Sequence, residues 1–540
     1  MRQLTRMCSR LLSIQWNARS IRPMGAAVLA VMLLVTNSAV GGDLSIFRRF
    51  PDDAGKIQSI PSNITISTAD GIVVQVDAPL DSTNKFFDPT LGTNGQACVT
   101  CHQPDQGFTI HVETIQDAFE ASGGTDPLFR PNDTANNPHV STLSADAYSL
   151  TLTLGVTRIG KTFASNANFT AVAANQETID NFAAPEVFPL LADPQQPPGQ
   201  PTLSLFRRPV VNTNVRLDSA VLWDGRASIA NMRGQVTAAA ATLLLDPNLP
   251  QNIADEIAAF MLGVFTDQVF DTAAGTDANE ECTLTAPGQE CGAGSVSGKG
   301  AQAGVRNLLQ LALSPDVPCT NFLADNPDAG GVGCIESTPG YDLFDAWAQL
   351  PNTGSDAARL TVARGQAIFN NANLQVPPDL TGQLGQEPIH CTTCHATRNI
   401  GSNPDATLGF FRTGNDSLRI INALLKNPGN ASPATQEDLK VLMERVRLLP
   451  LYLLTATGPN NCAITEVETT DPGRAMVSGD ICDVGKFKPP ILRGLAARSP
   501  YFHAGVAESI QMLIHFYNAR FQIGLTENEV TELTAFLEAQ

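Results

Sequence analysis

The sequence predicts a mainly α-helical chain in two halves, and three observations carry that prediction. Apolar residues recur at helical spacing in several segments from Trp223 to the C-terminus. Each half holds one Cys-x-x-Cys-His segment, Cys98–His102 and Cys391–His395. The stretches between are rich in Gly, Pro, Asn and Asp and read as irregular insertions at 106–205 and 271–340. In chain order, 43–97 is a set of short β-prone runs and loops, and the first insertion holds one helix at Asp146–Leu154. Helices follow at Ile229–Leu245, Ile253–Thr266, Ala357–Asn370, Gln436–Leu454, Glu508–Arg520 and Thr526–Ala539. The last opens on Thr526-x-x-Glu529, a reciprocal cap in which hydroxyl and carboxylate each satisfy one orphan N–H. The N-terminal half is 43–355 and the C-terminal half 356–540.

At 540 residues and 43% hydrophobic, the chain is long enough for more than one core and too apolar to be disordered. Net charge is −19. All five charged residues of the first 42 are arginines, Arg2, Arg6, Arg10, Arg19 and Arg22, so the remainder is more acidic still. Such a body repels nucleic acid and anionic membrane and attracts a basic protein or a cation. Those arginines precede an apolar run, Met24–Val35, and small residues at Ser38, Ala39, Gly41 and Gly42. Residues 1–42 therefore read as a secretory signal peptide, with export to the periplasm. The alternative is an uncleaved anchor, but a span needs about 20 apolar residues. No later run is long and apolar enough to cross a bilayer.

Of eleven cysteines, Cys8 lies in the leader and four belong to the two motifs. The other six fall in neighbouring pairs in loops, so short-loop closure favours 282–291, 319–334 and 462–482 as disulfides. In each motif, two thiols three positions apart can add to the two vinyl groups of one haem, and the adjacent imidazole can reach the iron. A zinc site would need two further ligands per motif. A redox dithiol gives no reason for His102 and His395 to follow directly. The expectation is two covalently bound c-type haems on Cys98, Cys101, His102 and on Cys391, Cys394, His395.

Further segments complete a pattern: Phe86–Asp105, Phe206–Gln235 with FRRP and WDGRA, Arg364–Phe369, and Phe487–Tyr517 with FKPPILRG, SPYFH and HFYN. In this order they resemble the bacterial di-haem cytochrome c peroxidases and their MauG-like relatives, over about half the chain. The resemblance implies two cytochrome c-like haem domains. Hydrogen peroxide would react at the N-terminal haem, and the C-terminal haem would pass electrons to it. Trp223 of the WDGR segment would relay electrons between them. His503 would hydrogen-bond near the second haem, although Ala504 stands where the family usually has Asp.

Fourteen residues after the His of PYFH, electron-transferring members place Met and MauG-like members place Tyr; here that position is Tyr517. Met512 and His515 lie on the same helix, with His515 about 160° round from Tyr517 at ~100° per residue. A tyrosine oxygen is a harder ligand than a thioether and favours oxidised iron. The alternative is a plain core aromatic. A removable distal His would stand about sixteen residues after the first motif, where this chain has Ala118 and Phe119. His111 and His139 read as surface or loop residues, which leaves the first haem without a sixth protein ligand. Gln235 is the nearest match to the family's distal Gln. Asp246 is the nearest acid to its distal Glu, the group that would move the proton when the O–O bond breaks. The family's interdomain calcium is doubtful: Arg207 stands at its Asn ligand, where a guanidinium could replace the ion, beside the carbonyls of Arg498 and Pro500.

These residues imply an exported di-haem oxidoreductase that reduces hydrogen peroxide. Its electrons come from a small cytochrome or cupredoxin, or from an oxidisable residue of a partner protein. Tyr517, the missing distal His and the long insertions favour the partner protein. A non-enzymatic electron carrier is the alternative, and an oxygenase a third. The scarcity of Trp and Tyr against 25 Phe suits a long-lived oxidised state, or is compositional drift.

Overall fold

The computed structural model describes residues 56–57, 66–67, 72–76, 83–130, 133–140, 143–175, 186–190, 202–213, 215, 218, 220–262, 264–268, 341, 344–380, 388–395, 409–492 and 494–539. The leader and the cysteines of the expected pairs 282–291 and 319–334 lie outside them. Residues 43–540 form one compact unit.

The largest core is built by helices of the C-terminal half. Gly354–Asn371, Leu418–Lys426, Pro433–Val446, Ile510–Arg520 and Glu527–Glu538 bury Phe369, Ile421, Leu442, Phe516 and Phe536 against one another. The final helix carries the expected cap: Glu529 N–H donates to the Thr526 hydroxyl, and Thr526 N–H to the Glu529 carboxylate. Gly365 lets this helix cross Gly354–Asn371 in backbone contact, since a Cβ there would lie 1.9 Å from the carbonyl oxygen of Glu532. A second core lies under the first motif, where Met232–Thr242 and Gln251–Leu262 pack Met232, Val236 and Ile257 against Phe86 and Phe108.

The expectation of a mainly α chain needs correcting: helices and sheets are mixed. The insertion 106–205, read as irregular with one helix, holds a second helix, Val112–Ser122, and strands Thr157–Thr162, Phe169–Ala174, Val187–Phe188 and Thr202–Arg207. Thr157–Thr162 and Thr202–Arg207 pair antiparallel, Thr157 opposite Arg207. Phe169–Ala174 pairs antiparallel with Leu451–Ala456, Ala174 opposite Leu451, inside a four-stranded sheet with Glu466–Thr469 and Val187–Phe188 at its edges. That sheet joins chain segments from either side of residue 355. The helix expected over Gln436–Leu454 stops at Val446, because Pro450 disfavours helix before it, and Leu451–Ala456 is a strand buried over its first four residues. Likewise Ile253–Thr266 divides into helix Gln251–Leu262 and strand Val264–Gln268. Cys462 and Cys482 form the expected disulfide. Among the described residues no helix is long and apolar enough to cross a membrane.

Glu468 of the edge strand and Asp416, which accepts from the Thr469 hydroxyl, form a pair of buried acids. Glu468 accepts from Arg419 N–H and the Ser417 hydroxyl through Oε1, while Oε2 has no partner among the described residues. Burial pushes Glu468 up to about 7, with nearby Asp416 adding to it, and burial pushes Asp416 up to about 6. Both values lie above their unfolded ones, so the folded state holds protons that the unfolded state has lost. Their stabilising contribution is full below pH ~4 and is lost as pH rises toward 7. Glu468→Gln should therefore raise the melting midpoint at pH 8 and change it little at pH 4. An equal shift at both pH values would contradict the assignment.

Candidate functional site

Each motif is a single helical turn, Cys98–Cys101 and Cys391–Cys394, built the same way twice. The hydroxyl of its Thr accepts the N–H that precedes the turn: Ala97 N–H to Thr100 Oγ1 at 2.9 Å, His390 N–H to Thr393 Oγ1 at 3.1 Å. The imidazole residue closes the turn, His102 N–H to Cys98 O at 3.0 Å and His395 N–H to Cys391 O at 2.9 Å. Spacing i, i+3 on a turn puts both thiols on one face. None of the four is in a disulfide. An aromatic ring stands beside each imidazole, Phe86 at 6.5 Å from His102 and Phe369 at 6.2 Å from His395.

His102 Nδ1 lies 2.9 Å from the carbonyl oxygen of Phe108 and donates to it. That bond sets the tautomer and ring direction and makes Nε2 the nitrogen that could take a metal. Burial lowers His102, which keeps the imidazole neutral.

Both turns open on one cavity of about 490 Å³, whose wall is mostly apolar. Paired thiols, an oriented neutral imidazole and apolar walls suit a porphyrin. Among the described residues no cluster of three His, Cys, Asp or Glu side chains suits a metal ion, so the zinc reading finds no further ligands.

Trp223, Gln235, His503 and Tyr517 line the same cavity. Trp223 sits in a tight turn after Leu222, whose φ is 71°, and donates its indole N–H to Arg208 O at 2.9 Å. In that turn Gly225 has φ 63°, and a Cβ there would strike the Phe410 ring. His503 stacks on Phe487 at 3.8 Å and meets Trp223 edge-on at 6.4 Å. Its Nε2 is 3.8 Å from Asp471 and has no hydrogen-bond partner among the described residues. Burial pushes His503 down to about 4, so its ring is neutral at pH 7.

Of the three side chains considered on Ile510–Arg520, only Tyr517 is in the cavity wall. Burial raises its phenol, with Cys394 and Cys391 adding to the effect. His515 turns away to Asp438 at 2.6 Å and Glu527 at 3.3 Å, and Met512 is buried in the helical core. The structure does not bring Asp246 to the cavity wall. It lies in the turn after Met232–Thr242, where its carboxylate accepts Asn248 N–H. His111 is a half-buried loop residue, the N-cap of Val112–Ser122, and its Nε2 lies 2.9 Å from Ala497 O. His139 lies in a turn, and neither histidine lines the cavity.

The two arginines of FRRP have separate roles. Arg207 bridges two buried carboxylates, Asp471 at 2.6 and 2.8 Å and Asp224 at 2.6 Å. It is the neighbouring Arg208 that reaches neutral oxygens: Gly155 O at 2.8 Å, Ser499 O at 3.2 Å and Thr109 Oγ1 at 3.3 Å. Burial pushes Arg208 down to about 9. Sequence reasoning missed this cation, the bridging role of Asp471, and Asp133, a buried acid in the cavity wall from the first insertion.

Two thiol–thiol–imidazole turns facing one apolar cavity fit the class of c-type haem proteins. No family model matches the chain. It is 36% identical over 114 residues to a cytochrome-c peroxidase, IdrP2, of Denitromonas iodatirespirans, covering 20% of this chain and 30% of that protein. It is 37% identical over 68 residues to the cytochrome-c peroxidase IdrP1 of the same organism, covering 11% and 18%. The match thus spans less than a third of either relative's length. The similarity supports a cytochrome-c-peroxidase-like family and, with it, haem.

Proposed function

We propose that this chain is an exported di-haem peroxidase, with one haem attached at each motif in a c-type domain, 43–355 and 356–540. The opening of both motifs onto a single cavity is the observation that supports this reading most. Bound haem would supply redox-active iron able to reduce hydrogen peroxide. His102 Nε2 would hold the first iron, with the Phe108 carbonyl fixing its ring. Gln235 would orient peroxide, and Trp223, pinned by Arg208 O, would conduct electrons to it. His395 would hold the second iron, with Tyr517 as the facing ligand and His503 beside it. Arg208 among three neutral oxygens supports a protein that needs no calcium. The donor is a small cytochrome or cupredoxin. Tyr517, facing the cavity where His515 and Met512 do not, favours a second reading in which a residue of a partner protein is oxidised.

The test is the mass of the purified protein, then optical and EPR spectra of the ferric form before and after peroxide. Two covalently bound haems are expected, one of them high-spin and consumed by peroxide. Tyr517→Phe should alter the low-spin spectrum. Two low-spin haems inert to peroxide would instead make the chain an electron carrier.

A further inference from the structure

Peroxide reduction needs protons moved between oxygens, and the described cavity wall offers two acids, Asp133 and Asp218. Asp218 is taken: Lys488 Nζ donates to it at 2.6 Å in a buried pair. Asp133 is 3% exposed, and its Oδ1 has no hydrogen-bond partner among the described residues. Its side chain is met by the Gln96 amide, so one oxygen is held while the other is left buried and unpaired, a costly arrangement that invites a functional reading. The backbone holds it in place, since Arg158 N–H donates to Asp133 O at 2.5 Å.

We propose that Asp133 is the acid–base residue of the first haem compartment, exchanging protons with hydrogen peroxide next to the Cys98–His102 turn. The assignment rests on the peroxidase reading above and deepens it. In the full reaction one hydrogen peroxide takes up two protons and two electrons and becomes two waters, the electrons coming from the donor protein. Asp133 takes a proton from the peroxide oxygen that binds and delivers it to the oxygen that leaves as water, then is ready again. The charged and titratable groups around it are consistent with that role. Burial pushes Asp133 up to about 7, opposed by the Gln96 amide and by Arg158 and Arg130. Burial raises Cys101 and Tyr148, and the Asp133 charge adds to both. A carboxyl ionising near neutrality is poised both to accept and to return a proton.

The experiment compares wild type, Asp133→Asn and Asp133→Glu as full-length haem-loaded proteins. Stopped-flow measurement of the peroxide reaction from pH 5 to 9 is paired with infrared spectra of the protonated-carboxyl C=O stretch. Wild type should react more slowly below pH ~7 and lose one carboxyl band as pH rises through that value. Asp133→Asn should react about 100-fold more slowly or worse, with a flat profile and no such band, at unchanged haem content. Asp133→Glu should recover most of the rate and the pH limb. An asparagine variant with the wild-type rate and pH profile would overturn the assignment, as would a wild type with no carboxyl band titrating near 7. A wild type that carries no haem would defeat the peroxidase reading instead, and the infrared titration would still decide on Asp133.

Discussion

Arg207→Met is expected to destabilise the protein by about 3–5 kcal/mol, the usual cost of leaving buried charge uncompensated. Arg207 is 2% exposed, and its partners Asp224 and Asp471 are 0% and 2% exposed. Burial works against ionisation of Asp224, but Arg207 and Arg226 outweigh it and hold the carboxyl well below its ordinary range. That stabilisation is complete above the unfolded value of 3.8 and is lost as pH falls below it. The deficit of the Met variant should therefore be largest at neutral pH and shrink toward pH 3. Asp224 belongs to the turn that presents Trp223, and Asp471 lies against His503, so the variant should also disturb the wall of the cavity. Chemical denaturation at pH 7 and at pH 3 checks both statements. A variant as stable as wild type at pH 7 would mean that the bridge contributes nothing.

His102→Ala is expected to lower the rate of the peroxide reaction by more than ~1000-fold, about 4 kcal/mol of barrier. The thiols of Cys98 and Cys101 remain in the variant, so haem content should hold while the optical spectrum of one haem changes. The Phe108 carbonyl would lose its donor, a smaller structural cost that circular dichroism should show as an intact fold. Rapid peroxide consumption by a fully haem-loaded variant would move the reactive centre away from the first motif.

Much of this site is written in short-range pattern. Cys98–His102 and Cys391–His395 declare themselves by spacing, and Thr100 and Thr393, which tie down each turn, sit inside the motifs. The Thr526 cap and the Cys462–Cys482 bridge were legible for the same reason: their partners are near in sequence. What was not legible depends on distant partners. Ala174 finds Leu451 277 residues further along the chain, so the strands of the insertion carry no local announcement. Asp133 has no periodic context and becomes notable only when folding buries it with Oδ1 unpaired among the described residues. Asp246 failed for the opposite reason. It is the acid nearest in sequence to the place of the family's distal Glu, but a turn directs its carboxylate to the backbone N–H of Asn248. Arg207 and Arg208 are adjacent, and only the pleat of the strand ending at Arg207 decides which one meets carboxylates.

The pairing of Phe169–Ala174 with Leu451–Ala456 acts as a splint across residue 355. Opening the chain there would break six residue pairs of ladder at once, so the two segments resist separating as a hinge would allow. Electron tunnelling depends steeply on separation, so haems held at the two turns, as proposed, would keep a steady rate of exchange, and control would fall to protons and to the arrival of a donor.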